Sequence, residues 1–378
     1  MEFSCEKKEL QNGVSTVEKI VATKSTLPII SNILFEINKN EIRLSANNLE
    51  IGMQLSIGAK VDKEGAFLLP AKMLSGIVSR LPDGEIKFKV GENGKVRITY
   101  GGSHFNLHSL PADEFPSLAK VKDGKNVSVD PKELLSMIKQ TIFSVSNNEE
   151  KFVLTGSLFE FGKSAAPGET STIRVVATDG YRLAKRGGKL TSGDASQNII
   201  VPARALQELA KMLESEEGKE VKISFSTDQI SFRYGDAFLV SRIIQGQFPD
   251  YKQVIPKKNA VRVTLNTKEF LKACERAGVI ASGSANVTSF ELKENKMHII
   301  ANTPDVGSIE EIIGAETKGA GKVKVSFNVR LIIDALTVID SEKVIVEMSE
   351  GLNPGVIKPD GENDYLYIIM PIRTQEVI

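Results

Sequence analysis

The chain has very few residues of the kinds that crosslink a fold or anchor it in a membrane. Only two cysteines, Cys5 and Cys274, occur among its 378 residues, which excludes a disulfide framework and suits a reducing compartment. No apolar run reaches the roughly 18 residues that a membrane-spanning helix needs. The start, MEFSCEKKEL, does not resemble a secretory signal. These absences predict a cytoplasmic protein with no membrane partner.

Net charge is missing as well. The 48 basic and 48 acidic side chains cancel, which argues against a tight, charge-driven nucleic-acid binder but leaves room for local basic patches. His104, His108 and His298 have no cysteine or carboxylate at ligand spacing. No Gly-x-Ser-x-Gly, His-Glu-x-x-His or paired-cysteine motif occurs. We therefore expect no metal, no cofactor and no catalytic residue.

One stretch, GSLFEFGKS from Gly156 to Ser164, superficially resembles a phosphate-binding loop. Five residues separate its first glycine from Gly-Lys-Ser, whereas a P-loop has four. The following AAPGETST cannot open the helix that a bound phosphate requires. A hairpin loop is the better prediction.

What the sequence does contain is an internal repeat. The length alone predicts about two to three domains, and a content of 41% apolar and 25% charged residues is typical of a soluble globular protein. Basic residues at the start of amphipathic stretches (Lys72, Arg204, Arg330) recur every 130 residues or so. The segments SANNLEIGMQ, VATDGYRLAKR and IANTPDVGSIEE recur in the same register. We predict three like domains at 1–122, 123–256 and 257–378.

Within each repeat the hydrophobic periods predict two helices and several hairpins. Apolar residues follow helical spacing in the stretch that begins after Asp130 and in a second stretch that ends at Leu213. Asp130 and Asn266 stand at N-cap positions. Alternating runs joined at 38–40 and 294–296 indicate antiparallel hairpins. Each repeat is therefore expected to be an α+β unit, with two helices packed on antiparallel sheets.

The stretch ATDGYRLAKR raises a specific question about Asp179. A carboxylate in such a turn could be catalytic, but Asp-Gly between two strands is also ordinary hairpin chemistry. The equivalent places in the other repeats hold Asn47-Asn48 and Thr303-Pro304-Asp305, which are turn formers too. This equivalence favours a structural role for Asp179.

Several motifs together resemble the bacterial DNA sliding clamps, the β subunits of the replicative DNA polymerase. They are TLPIISNILFEI, LPADEFPSL, ATDGYRLA, IQGQFPDYKQVIP, VSFNVRLIIDAL and YIIMPIR. The resemblance implies three clamp domains per chain and a head-to-tail homodimer that closes as a ring around duplex DNA. It also implies a non-enzymatic processivity factor that slides without sequence preference. A groove on it would bind short peptides of the polymerase, the clamp loader and repair proteins.

Residues for DNA contact follow from the resemblance and from the helix charges. The predicted helices at 7–24, 70–81 and 267–282 carry net charges of +2, +2 and +1. The expected DNA-binding residues are Lys24, Lys72, Arg80, Asn147, Asn148 and Lys151.

The resemblance also implies the wall of the peptide groove, which includes the ATDGYRLA turn. The matching positions are Leu154, Thr178, Gly180, Tyr181, Arg182, Leu183, Pro249, Gln253, Val254, Leu331, Ile368, Met370, Pro371, Ile372 and Arg373. The competing interpretation is that Leu183, Ile368 and Met370 are plain core residues. The tail Thr374–Ile378 runs past the last motif and could fold over the edge of the groove.

For the dimer we expect the edge of the first repeat to meet that of the third. The apolar candidates are Phe105 and Leu107 facing Val279 and Ile280, while Glu310 and Glu311 would pair with basic residues such as Lys72 or Arg97. Two other functions stay open at this stage: an enzyme that uses Asp179, and a monomeric peptide-binding scaffold.

Overall fold

Strands dominate the observed architecture, and each predicted helix is present. The computed structural model describes residues 1–22, 27–91, 93–119, 121, 124–163, 171–319, 322–361 and 364–373. Two predicted features, Lys24 and the tail Thr374–Ile378, lie outside the described residues.

The elements follow one another in three similar series. The first comprises β1 (Glu2–Glu6), α1 (Lys7–Glu18), β2 (Asn32–Asn38), β3 (Glu41–Asn47), β4 (Ile51–Gly58), β5 (Lys60–Lys63), β6 (Gly65–Pro70), α2 (Ala71–Val78), β7 (Glu85–Val90), β8 (Lys95–Tyr100) and β9 (Ser103–His108). The second comprises β10 (Lys125–Val129), α3 (Pro131–Lys139), β11 (Gly156–Gly162), β12 (Thr172–Thr178), β13 (Arg182–Gly193), β14 (Gln197–Pro202), α4 (Ala203–Ser215), β15 (Val221–Phe225), β16 (Gln229–Tyr234) and β17 (Ala237–Arg242). The third comprises β18 (Val261–Asn266), α5 (Thr267–Ala281), β19 (Val287–Lys293), β20 (Lys296–Thr303), β21 (Gly307–Gly314), β22 (Glu316–Gly319), β23 (Val323–Asn328), α6 (Val329–Thr337), β24 (Lys343–Met348), β25 (Gly355–Pro359) and β26 (Tyr365–Ile369).

Local chemistry explains where these elements begin and turn. Asn266 caps α5 by accepting a hydrogen bond from the backbone N–H of Glu269, as the sequence predicts. Asn328 caps α6 in the same way, through the N–H of Arg330. The β19–β20 turn places Glu294 and Asn295 at positive φ of 48° and 58°, the geometry that suits the twist of a two-residue hairpin.

Residue contacts divide the chain into two compact units. The first unit holds Met1–Lys132, Leu190–Ala195 and Arg204–Ile243, and the second holds the remaining residues from Glu133 to Ile378. The boundaries predicted at 122/123 and 256/257 remain predictions.

The first unit contains two antiparallel sheets. One has the order β5-β1-β7-β8-β9. The other, which we call the first long sheet, runs β6-β2-β3-β4-β17-β16-β15-β10 and ends on the last residues of β13. Phe3 stacks on Phe88 with ring centroids 4.7 Å apart, and Phe35 stacks on Phe67 at 5.0 Å. Each of these pairs lies within one sheet. Phe3 also lies 6.4 Å from Phe67, and Phe35 lies 6.1 Å from Phe88, so that the four rings join the two sheets in one core.

The second unit repeats this plan. Its long sheet, the second long sheet, runs β14-β11-β12-β13-β26-β25-β24-β18-β22, and a smaller sheet has the order β21-β20-β19-β23. A large apolar core includes Phe270 of α5, Ile332 of α6 and Phe290 of β19. Residues Gly156–Gly162, from the stretch that the sequence predicted to be part of a hairpin rather than a phosphate-binding loop, form strand β11, which pairs antiparallel with the next strand, β12. Residues 164–170 lie outside the described residues.

No helix in the described part of the chain is both long enough and apolar enough to cross a bilayer.

Both thiols are buried, and we expect them to be unreactive in the folded protein. Burial, reinforced by the nearby Glu9 carboxylate, raises the pKa of Cys5 to about 12, and burial raises the pKa of Cys274 well above its usual range. Because the thiolate is the reactive form, Ellman's reagent should label neither thiol at pH 8 until guanidinium is added. Labelling of either cysteine within minutes under native conditions would contradict this burial.

Candidate functional site

The ATDGYRLA motif forms the turn between β12 and β13. The Asp179 Oδ1 atom accepts the backbone N–H groups of Tyr181 (2.8 Å) and Arg182 (3.0 Å). The Thr178 hydroxyl accepts the N–H of Gly180 at 3.1 Å and donates to the carbonyl of Arg182 at 2.6 Å. Gly180 has a φ of +94°, which favours glycine. Asp179 is therefore engaged as a turn former, and the same is true of Asn47 and Asn48 in the first repeat, whose side chains accept N–H groups of Leu49 and Ile51.

Arg182 fastens this turn to the body of the second unit. Its Nε donates to Asp179 Oδ2 at 3.0 Å, one terminal nitrogen donates to Asp334 Oδ2 at 2.6 Å, and the other donates to the Phe143 carbonyl at 2.6 Å. The guanidinium carbon also lies 5.4 Å from the centroid of the Phe143 ring. Burial works against the charged form, but the hydrogen bond to Asp334 and the nearby carboxylates leave the pKa of Arg182 raised. Sequence reasoning missed Phe143 and Asp334, because neither is near the motif in the chain.

An apolar cluster lies beside the turn. Leu154, Leu183 and Ile368 are 9%, 3% and 1% exposed, and they pack together with Phe248 and Tyr251. For Leu183 and Ile368 the structure therefore agrees with the core interpretation. Met370 differs, because it keeps 38% of its surface exposed.

Several exposed apolar side chains stand at or close in sequence to the predicted groove positions. The Met370 N–H donates to the Tyr181 carbonyl at 2.9 Å, so that these residues are adjacent. Tyr181 is 66% exposed, Phe152 is 58% exposed and Val254 is 43% exposed. Phe152 was not predicted, although it stands two residues before Leu154. Lys151, for which DNA contact stays a prediction, donates to the Asp179 carbonyl at 3.1 Å and lies 5.3 Å from the Tyr181 ring centroid.

The remaining predicted groove residues differ in exposure and in the core that they contact. Pro249 and Gln253 are exposed on the segment before β18, where Gln253 donates to Asp250 at 3.0 Å. Leu331 packs against the core that contains Phe270 rather than against the Leu183 cluster. Among the last predicted residues, Pro371 and Ile372 are half-buried and Arg373 is exposed.

A hydrogen-bond network holds the 245–256 segment on the second long sheet. The Tyr251 hydroxyl donates to Glu160 Oε2 at 2.7 Å, and Arg174 donates to the same oxygen at 2.9 Å. Burial and the adjacent Glu160 carboxylate raise the pKa of Tyr251. This network closes the sheet face next to the Leu183 cluster.

The predicted DNA-binding residues that the structure describes are all on the surface. Lys72 and Arg80 are exposed in the first unit, and Asn147 and Asn148 are exposed in the second. The Asn148 side chain accepts the N–H of Glu150 and so caps a short 3-10 helix. Their contact with DNA stays a prediction.

In the first unit, β9 pairs only with β8 among the described strands and is an edge. Phe105 is 36% exposed and stacks on Tyr100 with centroids 5.6 Å apart. Leu107 is 8% exposed, because it points into the sheet's own core. Leu107 therefore offers little exposed apolar surface in the single chain, and its place in the dimer contact stays a prediction.

In the second unit, the edge strand is β21. Glu311 forms two hydrogen bonds with Arg276, of 2.8 and 2.6 Å, and Glu310 lies 2.8 Å from His298 Nδ1. Both carboxylates thus have partners within the chain, which the sequence analysis did not anticipate. Around them Val279 is 71% exposed and Ile280 is half-buried. Ile312, which was not predicted, is 51% exposed.

The Glu311–Arg276 pair leads to a prediction about pH. Hydrogen bonds from Arg276 lower the pKa of Glu311. Its stabilisation is therefore complete above the unfolded pKa and is lost as the pH falls through the lower folded value. We expect Glu311→Gln to lower the Tm at pH 7, with the difference from wild type shrinking below about pH 4. Calorimetry between pH 3 and 7, with exposed Glu350→Gln as the control, tests this; a difference that stays constant with pH would contradict it.

Within the described residues, no group of three or more histidine, cysteine or acidic side chains could hold a metal ion.

Comparison with known proteins covers nearly the whole chain. Models of the N-terminal, central and C-terminal domains of the DNA polymerase III beta subunit match residues 1–119, 128–250 and 252–373. A beta sliding clamp of Staphylococcus epidermidis is 30% identical over 383 residues, which cover 99% of this chain and 100% of the relative. A beta sliding clamp of Staphylococcus aureus matches at the same identity and coverage.

Solved structures agree with these matches. The DNA polymerase sliding clamp of Bacillus subtilis has a TM-score of 0.92 at 28% identity, covering 99% of this chain and 100% of that one. The sliding clamp of Pseudomonas aeruginosa bound to griselimycin gives the same TM-score, identity and coverage. The fold, with three tandem α+β domains, and the sequence lead to the same conclusion: this chain belongs to the DNA polymerase III beta subunit family.

Proposed function

We propose that the protein is a DNA polymerase processivity factor, a homodimeric ring that slides on duplex DNA and tethers other replication proteins. The observation that carries this proposal is the full-length match, over three tandem domains, to the beta sliding clamps. The relative from Pseudomonas aeruginosa is described as bound to griselimycin, so a member of the family also accepts a smaller ligand. The proposed role is non-enzymatic, and its predicted location is the cytoplasm.

A neutral chain can perform this task because a ring does not depend on affinity. Phosphate contacts by a few lysine and arginine side chains give weak binding, with a Kd on the order of 10⁻⁴ to 10⁻⁶ M, and no sequence preference. Weak contacts let a protein slide, whereas closure keeps it on the DNA. Exposed Lys72 and Arg80 are suited to such contacts.

The surface around Tyr181 is proposed as the site for partner peptides. Tyr181, Val254 and Met370 are exposed above the apolar cluster of Leu183 and Ile368. Contiguous exposed apolar side chains of this kind are typical of interaction sites, and the flexible methionine can adapt to several partners. Asp179 holds the turn in shape, which leaves it without a free carboxylate oxygen for catalysis.

The two edge strands support the proposed dimer. β9 ends one sheet of the first unit and β21 ends one sheet of the second, and each edge carries exposed apolar side chains, Phe105 on the first and Ile312 on the second. Pairing unlike edges in a head-to-tail dimer covers both of them and closes the assembly.

A release experiment tests this function. The protein is loaded on a nicked circular plasmid with its clamp loader and ATP, isolated by gel filtration, and then exposed to an enzyme that cuts the plasmid once. We expect it to co-elute with the circle for minutes and to leave once the DNA is linear. Loss before cutting would favour the monomeric scaffold. Retention on linear DNA with free ends would show that binding, not closure, holds it.

A further inference from the structure

The first unit has a cavity of about 880 Å³ between its long sheet and residues of the segment 112–118 together with Val121. We call it the trough. Its floor is the face of the first long sheet that carries Glu36, Gln54, Phe238, Arg233 and Lys222, and its roof includes Phe115 and Leu118. None of these residues belongs to the proposed peptide site or to the predicted DNA contacts.

The trough occupies the place in the first unit that the Leu183 cluster occupies in the second. Strand pairing shows the equivalence, because Gly52 lies opposite Val240 where Leu183 lies opposite Ile368. The segments that cover the two faces are also alike, FPSLAKV from Phe115 and FPDYKQV from Phe248.

The two faces differ because one network is missing. In the second unit Tyr251 and Arg174 both bind the Glu160 carboxylate. In the first unit Leu118 stands in the tyrosine's place and has no hydroxyl, and Arg43 pairs with Glu41 at 3.1 Å. Glu36, the counterpart of Glu160, is half-buried and has no hydrogen-bond partner among the described residues. The sheet face around Glu160 is therefore covered in the second unit, whereas the equivalent face around Glu36 is open in the first unit.

The opposite end of the trough is positively charged. Lys222 and Arg233 lie directly opposite each other on β15 and β16, an arrangement of like charges that costs stability unless an anion is present. Lys222 has only a 4.0 Å contact with Glu220, and Arg233 stacks over Phe238 at 5.0 Å with no acidic partner among the described residues. Hydroxyl groups of Ser128, Ser224 and Ser231 surround this end.

The dimensions of the trough match an extended peptide. Four inter-strand steps separate β2, which carries Glu36, from β16, which carries Arg233, and this amounts to roughly 19 Å. About six extended residues span such a distance.

We infer that the trough is a second peptide-binding site, which takes an extended segment of about six residues with a cationic group at one end and a carboxylate at the other. The cationic group meets Glu36, and the carboxylate meets Lys222 and Arg233. A flat or apolar side chain in the middle contacts Phe238 and Leu118. Asp236, at the β16–β17 turn, also lines the trough and disfavours further acids at the centre.

Selection from a phage-displayed library of random hexapeptides tests this site. Phage that bind Gln54→Trp are removed first, since a tryptophan at this position on the floor should block the trough while suiting a strand. The remainder is selected on the wild-type protein. We expect enrichment of sequences with an acid at one end and Lys or Arg at the other. The inference would be overturned if the wild-type protein enriched no phage relative to Gln54→Trp, or if the enriched peptides lacked a terminal acid.

Variants then assign the enriched peptide to its site. The double variant Lys222→Gln/Arg233→Gln should weaken it roughly tenfold or more, because charge-assisted hydrogen bonds are lost. The matched control Lys95→Gln, exposed on β8 in the same unit, should bind as wild type. Tyr181→Ala, which alters the proposed partner-peptide site, should also leave binding unchanged. If Tyr181→Ala abolishes binding and the double variant does not, the peptide uses that other site and the trough has no such role. Circular dichroism confirms that each variant is folded.

Discussion

Replacing Arg182 with methionine should destabilise the second unit by about 2–4 kcal/mol, since removing one partner of a buried pair leaves the other charge uncompensated. The arginine side chain is 11% exposed, and its partners Asp179 and Asp334 are 18% and 36% exposed. Methionine keeps the volume but leaves both carboxylates without their ion pair and the Phe143 carbonyl without its donor. The loss should appear as a lower midpoint in urea unfolding.

The same change should weaken partner peptides, because the turn that carries Tyr181 loses its attachment to Asp334. We expect at least a tenfold fall in affinity at a temperature where the variant is still folded. Arg182→Lys should recover only part of both effects, because an ammonium group cannot reproduce the three directed bonds. The control is Arg262→Met, an exposed arginine on β18. Unchanged stability and peptide affinity in Arg182→Met would show that the hydrogen bonds of Arg182 have no such role.

Placing two carboxylates on the edge of the second unit should convert the proposed dimer into monomers. Val279 and Ile312 are 71% and 51% exposed in the single chain, so that Val279→Asp/Ile312→Asp should not harm the fold. In a ring the same contact occurs twice, and each copy would bury two unpaired charges. Sedimentation at micromolar concentration should show a dimer for the wild type and a monomer for the variant.

The consequence for function is a loss of retention on circular DNA. Leu352→Asp, on an exposed loop where the leucine is 47% accessible, places a single carboxylate away from this edge and should remain a dimer that stays on the circle. If the double variant still sediments as a dimer, the interface does not involve this edge. If it is monomeric yet remains on the circle, closure is not what retains the protein.

Features that depend on neighbours along the chain could be read from the sequence. The cap at Asn266, the turn at Glu294-Asn295 and the turn at Asp179 form as predicted, because their hydrogen bonds join residues within three positions of each other. The repeated order of such signals also indicated three like domains.

Other outcomes required the assembled sheets. Sequence periodicity could not tell that Leu107 points into a core, or that Met370 stays exposed while Ile368, two residues earlier, is buried. Arg182 binds Asp334 across 152 positions and Arg276 binds Glu311 across 35, distances along the chain that no local signal reports.

The sequence by itself determined the repeat, the family and the positions of the turns, because these depend on local hydrogen bonding and on the order of motifs. The tertiary structure alone decided which repeat has a closed sheet face and which has an open one. A tyrosine hydroxyl closes the network on Glu160, and a leucine at the same place leaves Glu36 without a hydrogen-bond partner in the part of the chain that the structure describes. The two sequences FPDYKQV and FPSLAKV look like variants of one motif, and only packing shows that one covers an apolar cluster and the other roofs a charged trough.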